Sequence, residues 1–188
     1  MSLKSLVKFS NKTSYVNRGL DLESDINITN KFYLDTNKAV IYKKPTPISV
    51  IKVDYKSKKS GLIKEAYFET PSTTDYNGIY KGKYIDFEAK ETRSKTSFSL
   101  SNIHSHQIKH MEIVKSHGAL TFLIIRFTTL RETYFFSIRD LMDFIKSSKL
   151  KSIPIDVIRE KGILIKDRFN PRVDYLEVVD SFYFGGKK

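Results

Sequence analysis

The chain predicts an α/β domain: a mixed central sheet flanked by helices, with a basic β-hairpin projecting from it. Three observations carry this reading. Runs of β-branched and aromatic residues alternate with helix-length amphipathic segments along the chain. Leu120–Phe127 is apolar at nearly every position, as a strand covered on both faces is. With 188 residues, 40% hydrophobic and 13% aromatic, and no internal repeat or linker, the chain is long enough for one sizeable core and has no visible break.

Residues 1–17 are polar and basic with scattered apolar positions and read as a mobile arm, leaving 18–188 as a single domain. From Leu20 to Tyr33 the residues Leu22, Ile26, Ile28, Phe32 and Tyr33 share a broad helical face, and Asp35 with Asn37 supplies a stop. Ala39–Tyr42 is a short strand, after which Pro45 and Pro47 force an extended turn. Ile48–Tyr55 and Leu62–Phe68 are strand-like and flank the basic turn Lys56–Gly61, a hairpin within about 48–70. A second hairpin joins Tyr76–Tyr80 to Lys83–Lys90 through Lys81-Gly82.

Asn102–Ser116 predicts a helix with Ile103, Ile108, Met111 and Val114 near one face, and Gly118 stands where a left-handed cap belongs. Thr133–Phe136 is a strand beside Leu120–Phe127. Ser137 with Asp140 begins a helix through Ser148, and Pro154 suits the first turn of a short helix ending before Gly162. The apolar, aromatic tail Tyr175–Phe184 packs back on the domain.

Thirty-three Lys and Arg against 21 Asp and Glu make the formal net charge +12, which suits a polyanionic partner and a folded basic domain better than a disordered tail. There is no cysteine, so disulfides and thiolate metal sites are excluded and a reducing cytosol is the natural compartment. Neither a signal-peptide core nor an apolar run of membrane-spanning length is present, so no membrane association is expected.

The chemistry concentrates in Lys83–Lys90. Strand alternation puts Ile85, Phe87 and Ala89 on one face and Asp86, Glu88 and Lys90 on the other. Asp75, thirteen residues before Glu88, lies where the hairpin brings it beside that carboxylate. Two adjacent carboxylates repel unless a cation lies between them, and Mg²⁺ takes hard oxygen ligands while keeping waters. An ammonium on the same face can orient the attacking water and stabilise charge on a scissile phosphate, the logic of metal-dependent phosphodiester hydrolysis. Spacing alone also fits a solvated strand face with an Asp turn cap. The basic chain, the adjoining strands and Glu23 on the upstream helix as a third carboxylate favour the nuclease.

Further blocks are specific to one family. Asn17-Arg18-Gly19 with Leu22-Glu23 and Ile26-Asn27, Lys43-Lys44-Pro45-Thr46-Pro47, Lys52-Val53-Asp54-Tyr55, Ser72–Gly78, Tyr84–Thr92, Lys95–Phe98, His106-Gln107 and Ile124–Phe127 together resemble the RecU family of bacterial Holliday-junction resolvases, from Arg18 to about Phe184. The resemblance implies a restriction-endonuclease-like fold, a homodimer, Mg²⁺ with Mn²⁺ able to substitute, and paired nicks across a four-way DNA junction in the bacterial cytoplasm, with recombinase and branch-migration proteins as further partners. It implies Asp75 and Glu88 as metal ligands with the backbone carbonyl of Ala89, and Lys90 as the water and phosphate partner. Thr74 and Gln107 belong to the same active site, and Glu23 corresponds to the superfamily's helix carboxylate. Arg18 corresponds to a DNA-contacting residue, and the hairpin bearing Lys52, Lys56, Lys58, Lys59 and Lys64 to a stalk entering the junction centre. Two departures stand out: Thr74 replaces the wider superfamily's Pro, and Ser99 replaces a Pro common in the family. Neither is a metal ligand.

Other residues have plainer readings. His106 and His110 have zinc-like i, i+4 spacing, but no motif places a third ligand, and with His104 and His117 they read as facing DNA or solvent, or as supporting the catalytic face. Asp86 reads as a supporting residue, and Tyr76, Tyr80 and Tyr84 as sheet packing. Two other functions remain: a non-catalytic junction-binding protein, which would be expected to lack Asp75, Glu88 or Lys90, and a repair or restriction-type nuclease on linear duplex DNA, which would not need the stalk.

Overall fold

The structure is a computed structural model and describes residues 21–57, 60–69 and 73–185, so the N-terminal arm, Arg18, Lys58 and Lys59 lie outside the described residues. In chain order the elements are α1 (Leu22–Asp35), β1 (Val40–Lys43), β2 (Ile48–Ser57), β3 (Ser60–Phe68), β4 (Tyr76–Tyr80), β5 (Lys83–Thr92) and β6 (Ser97–Ser99). After a 3₁₀ turn at Leu100–Asn102 come α2 (Ser105–Ser116), β7 (Leu120–Phe127), β8 (Glu132–Ser137), α3 (Ile138–Ser147), β9 (Ser152–Pro154), α4 (Ile155–Lys161), β10 (Ile163–Ile165) and α5 (Tyr175–Tyr183).

Six strands form the central sheet in the order β1-β4-β5-β7-β8-β10. The β5–β7 pair is parallel and the other neighbours are antiparallel. A parallel pair needs a crossover, which α2 supplies, and both faces must then be covered. On one face Leu22, Ile26 and Tyr33 of α1 and Tyr175, Leu176 and Val179 of α5 bury against Ile85, Phe87, Phe122 and Ile124. On the other, Met111 of α2, Leu141 and Phe144 of α3 and Ile158 of α4 bury against Leu123, Ile125, Phe127 and Phe136. Every residue of β7 is buried, as its apolar run requires. Phe87 stacks between Tyr76 and Phe122, with centroids 4.9 Å apart on each side. Such stacked pairs add about 0.5–1.5 kcal/mol to burial. At Gly78 a Cβ would lie 2.1 Å from the carbonyl oxygen of Val40, so only glycine lets β1 approach β4 this closely.

The hairpin β2–β3 forms a two-stranded sheet of its own, paired from Ile48↔Phe68 to Ser57↔Ser60. Lys56 falls on β2 at its tip end.

Local chemistry moves several boundaries. Helix α1 starts at Leu22 rather than Leu20 because Asp21 caps it, its carboxylate accepting from the Glu23 amide at 3.1 Å. The segment 100–116 is a 3₁₀ turn followed by a helix from Ser105, rather than one helix from Asn102. Pro154 caps α4 instead of sitting in its first turn, and the C-terminal tail is helical. Strands β6, β9 and β10, of three residues each, are too short to show periodicity. Among the described residues no helix is long and apolar enough to cross a membrane.

Candidate active site

The β4–β5 turn sets the register of the site. Lys81 and Gly82 both adopt positive φ, 48° and 72°, the conformation of a two-residue hairpin turn whose twist matches its strands. That turn pairs Asn77 with Asp86 and Tyr76 with Phe87, so the residue before Tyr76 falls beside Glu88. The Asp75 amide donates to Glu88 Oε2 at 3.0 Å. Lys90 Nζ contacts Glu88 Oε1 and lies 3.5 Å from Asp75 Oδ2. The ammonium therefore lies against both carboxylates.

From the crossover helix, Gln107 Nε2 donates to Glu88 Oε1 at 2.8 Å, while its Oε1 accepts from the His104 amide at 3.0 Å. The backbone donor fixes which way the amide points, so Gln107 presents N–H to the carboxylate. Glu88 is fully buried. Burial first, then the hydrogen bond and charge of Asp75, push its carboxyl up to about 7 against the pull of Lys90. For Lys90 burial disfavours the ammonium, but Glu88 and Asp75 outweigh it and hold its pKa above the ordinary lysine value.

Behind this group Asp86, also fully buried, organises a second cluster. Its Oδ1 accepts from Thr74 Oγ1, and its Oδ2 accepts from Lys44 Nζ at 2.8 Å and Tyr84 Oη at 2.9 Å. Lys44 also donates to Thr74 Oγ1 at 2.9 Å, and His110 Nε2 lies 3.4 Å from Asp86 Oδ2. A buried carboxylate needs such partners. Thr74 is thus held by Asp86 and positions the next residue, Asp75. Beside it runs a cleft of about 390 Å³ lined by Lys43, Lys44, Thr73, Thr74 and Asp75, with Pro45 and Pro47.

The other candidates sort by contact. Glu23 is half exposed and paired with Lys43, and its backbone oxygen accepts from Tyr76 Oη at 3.3 Å. Among the described residues no hydrogen bond or ion pair joins its carboxylate to Asp75, Glu88 or Lys90. His104 and His106 stack at 5.3 Å while His110 reaches Asp86, so the i, i+4 histidine pair addresses different neighbours. Tyr76 and Tyr80 are core residues, whereas Tyr84 is exposed and serves Asp86, a correction to its reading as sheet packing. Lys44 and Glu91 were not visible as site residues. Glu91, on the opposite sheet face from Lys90, accepts from the Leu22 amide at 2.7 Å and so anchors α1 to β5.

Among the described residues no three histidine or carboxylate side chains converge as a metal cage. Asp75 and Glu88 nevertheless fit a hard divalent cation: they are oxygen donors from adjoining strands, and one is a buried carboxyl whose ionisation is opposed by the other. These two, with the backbone carbonyl of Ala89 next in the chain, are the groups that would hold it.

The chain is 52% identical over 182 residues to Holliday junction resolvase RecU of Oceanobacillus iheyensis, covering 95% of this chain and 93% of that one. It is 49% identical over 176 residues to Holliday junction resolvase RecU of Bacillus mycoides, covering 92% and 88% respectively. The solved structure of Hjc, a Holliday junction resolvase from Archaeoglobus fulgidus, is a distant likeness that matches 72% of this chain and 91% of that one with a TM-score of 0.40 and 11% identity. The Recombination protein U family model matches residues 17–181, which contain Asp75, Glu88, Lys90 and Gln107, and with relatives at this identity over nearly the full length the chain belongs to that family.

Proposed function

We propose that this protein is a divalent-metal-dependent endonuclease that resolves four-way DNA junctions by paired nicks, working as a homodimer. The observation that carries the reading is the joining of Asp75, Glu88 and Lys90 on two adjacent strands, with Gln107 holding the buried carboxylate. The junction as substrate rests on relatives about half identical that are named Holliday junction resolvases. Mg²⁺, or Mn²⁺ in its place, would supply Lewis-acid stabilisation of the phosphate and a more acidic water.

The chain's own residues do the rest. Gln107 and the Asp75 amide hold Glu88 in one rotamer. Lys90, kept protonated by both carboxylates, offers its ammonium to the charge that grows on the phosphate as the water oxygen bonds to phosphorus and the bridging P–O bond breaks. Lys43 and Lys44 line the adjoining cleft, Lys43 paired with Glu23 and Lys44 with Asp86. A junction has near two-fold symmetry, so two identical sites at fixed separation would cut opposing strands.

Cleavage of a mobile synthetic four-way junction, with and without Mg²⁺ and beside a linear duplex of the same sequence, tests the proposal. Paired metal-dependent nicks on the junction are expected. Cutting of the linear duplex at the same rate would make the protein a general duplex nuclease, and binding without cutting would make it a junction-binding protein.

A further inference from the structure

The positive charge of the chain is unevenly engaged. On the side of α1 and α5, cations face carboxylates: Lys31 pairs with Asp35, Lys38 with Asp174, Lys81 with Asp180 and Arg168 with Glu177. On the side of α2 and α3, among the described residues, no ion pair or hydrogen bond engages the ammonium of Lys95, Lys109, Lys146, Lys149 or Lys151, and all five are exposed. We propose that Lys146, Lys149 and Lys151, on the loop between α3 and the β6–β9 ribbon, form a surface that holds the backbone of a duplex DNA arm beside the nuclease site. The inference rests on the activity proposed above and gives that activity its arm-binding face.

Packing fixes the surface in place. Strands β6 and β9 pair from Ser97↔Pro154 to Ser99↔Ser152, and the Leu100 amide donates to the Lys151 carbonyl at 3.0 Å. Phe98, Ile103 and Ile153 are buried in the core beneath α2 and α3 and tie the ribbon to the sheet. The Leu150 amide donates to Ser148 Oγ at 3.1 Å, which shapes the turn after α3. The backbone that carries the lysines is therefore set before DNA arrives, and only their side chains need ordering.

A series of contacts leads from this loop to the catalytic carboxylate. The Leu100 carbonyl accepts from the Ile103 amide at 3.1 Å, the His104 amide donates to Gln107, and Gln107 donates to Glu88. Four residues of chain, at most about 14 Å, separate Leu100 from His104. A turn of B-DNA is about 34 Å long, so Lys151 lies within one turn of a duplex whose scissile phosphate sits at Glu88.

The chemistry selects a duplex backbone. Ammonium groups on flexible stems neutralise phosphates without reading bases. A single-stranded partner calls for exposed rings on which bases stack. Over residues 93–116 and 139–152 the exposed large apolar side chains are Ile113 and Leu150, with no Phe or Tyr among them. The acids of these segments are Glu112, Asp140 and Asp143, of which Asp140 is held by the Ser137 hydroxyl, and beyond the ribbon Asp156 faces Arg159. Lysines on any surface are commonly just solvated. These differ in having no carboxylate partner and in standing on a fixed loop next to the site.

The chain contains no cysteine, so Lys149→Cys supplies a single thiol to carry an iron chelate, whose radicals cut DNA that lies close to it. On a four-way junction without divalent metal, labelled Lys149→Cys should cut a duplex arm within one turn of the position nicked in Mg²⁺, and labelled Lys31→Cys on α1 should not. Changing Lys146, Lys149 and Lys151 together to Gln should lower the salt slope of binding by about 0.9 for each phosphate no longer neutralised, equally on junction and linear duplex and less on a single-stranded oligonucleotide. An unchanged slope, no arm cuts from Lys149→Cys, or the same cuts from Lys31→Cys overturns the proposal. So does a loss as large on the single strand, which would make this a strand-binding surface, or sedimentation of the triple variant as monomers from a dimeric wild type, which would make the loop a subunit contact. A wild type that cuts junctions while the triple variant binds them unchanged removes this surface alone. Arm cuts by the chelate in a protein that nicks no junction remove the proposed activity alone.

Discussion

Thr74 Oγ1 donates a hydrogen bond to Asp86 Oδ1, tying the residue before Asp75 to the residue two before Glu88. The metal-ligating candidates are thus placed by a neighbouring polar pair, which Lys44 closes by donating to both members. Removing one partner of a buried ion pair strands the other. Asp86→Ala should cost about 3–5 kcal/mol of stability, and Thr74→Val about 1–3 kcal/mol with a loss of cleavage as Asp75 is released. Urea unfolding measures the first effect, and junction cleavage under conditions where Thr74→Val is folded measures the second. Full activity in folded Thr74→Val would show that Asp75 needs no such support.

Lys90 touches both carboxylates, so removing it takes a cation away from the site as well as the charge proposed to meet the phosphate. Lys90→Ala should slow turnover by at least about a hundredfold while leaving divalent-metal affinity undiminished, since the ammonium is not a ligand and competes for the same oxygens. Single-turnover cleavage and calorimetric metal titration separate the two quantities. A parallel collapse of metal affinity would make Lys90 a structural residue.

Glu88 titrates at about 7 in the metal-free protein instead of 4.5. Between these values the folded protein keeps a proton that the unfolded chain has released. Glu88 therefore lowers folding stability progressively as pH rises from 4.5 towards 7, with no further change above. A divalent cation competes with that same proton, so its affinity should fall about tenfold per pH unit below 7 and level off above it. Metal titrations from about pH 5.5 to 8.5 test this, with one proton released per ion at the acid end and none at the alkaline end. A flat profile would mean that Glu88 is not a ligand.

Hairpin β2–β3 carries the lysines expected to meet phosphates at the junction centre, where four arms concentrate negative potential. Changing Lys56, Lys58 and Lys59 together to Ala should weaken junction binding and lower its salt slope by about 0.9 for each phosphate no longer neutralised, with a smaller effect on linear duplex. Binding across a salt series on both substrates decides the matter. Equal weakening on both would make the hairpin a general DNA patch.

What the chain reveals in advance follows the distance over which each interaction acts. The strand alternation of Asp86, Glu88 and Lys90 and the turn that carries Asp75 to Glu88 are local, and both were readable. The mixed sheet covered by helices was also readable, because β7 is apolar throughout. Lys44 reaches Asp86 across 42 residues and Arg126 reaches Asp25 across 101. No local period encodes those pairings, and a buried Asp looks in sequence like any solvated one. Glu23 shows the same limit: its carboxylate pairs with Lys43, twenty residues away, a contact that no local pattern announces.

The tight turn at Lys81-Gly82 also bears on the order in which the site assembles. Hairpins of this kind close in about 1–10 μs, before distant segments meet. Asp75, Glu88 and Lys90 all lie on that one hairpin, so the ammonium accompanies the two acids from the moment they approach and their repulsion is screened from the start. Gln107 arrives only when the α2 crossover closes and β7 docks in parallel on β5. Its amide thus locks a charge arrangement that the hairpin has already balanced.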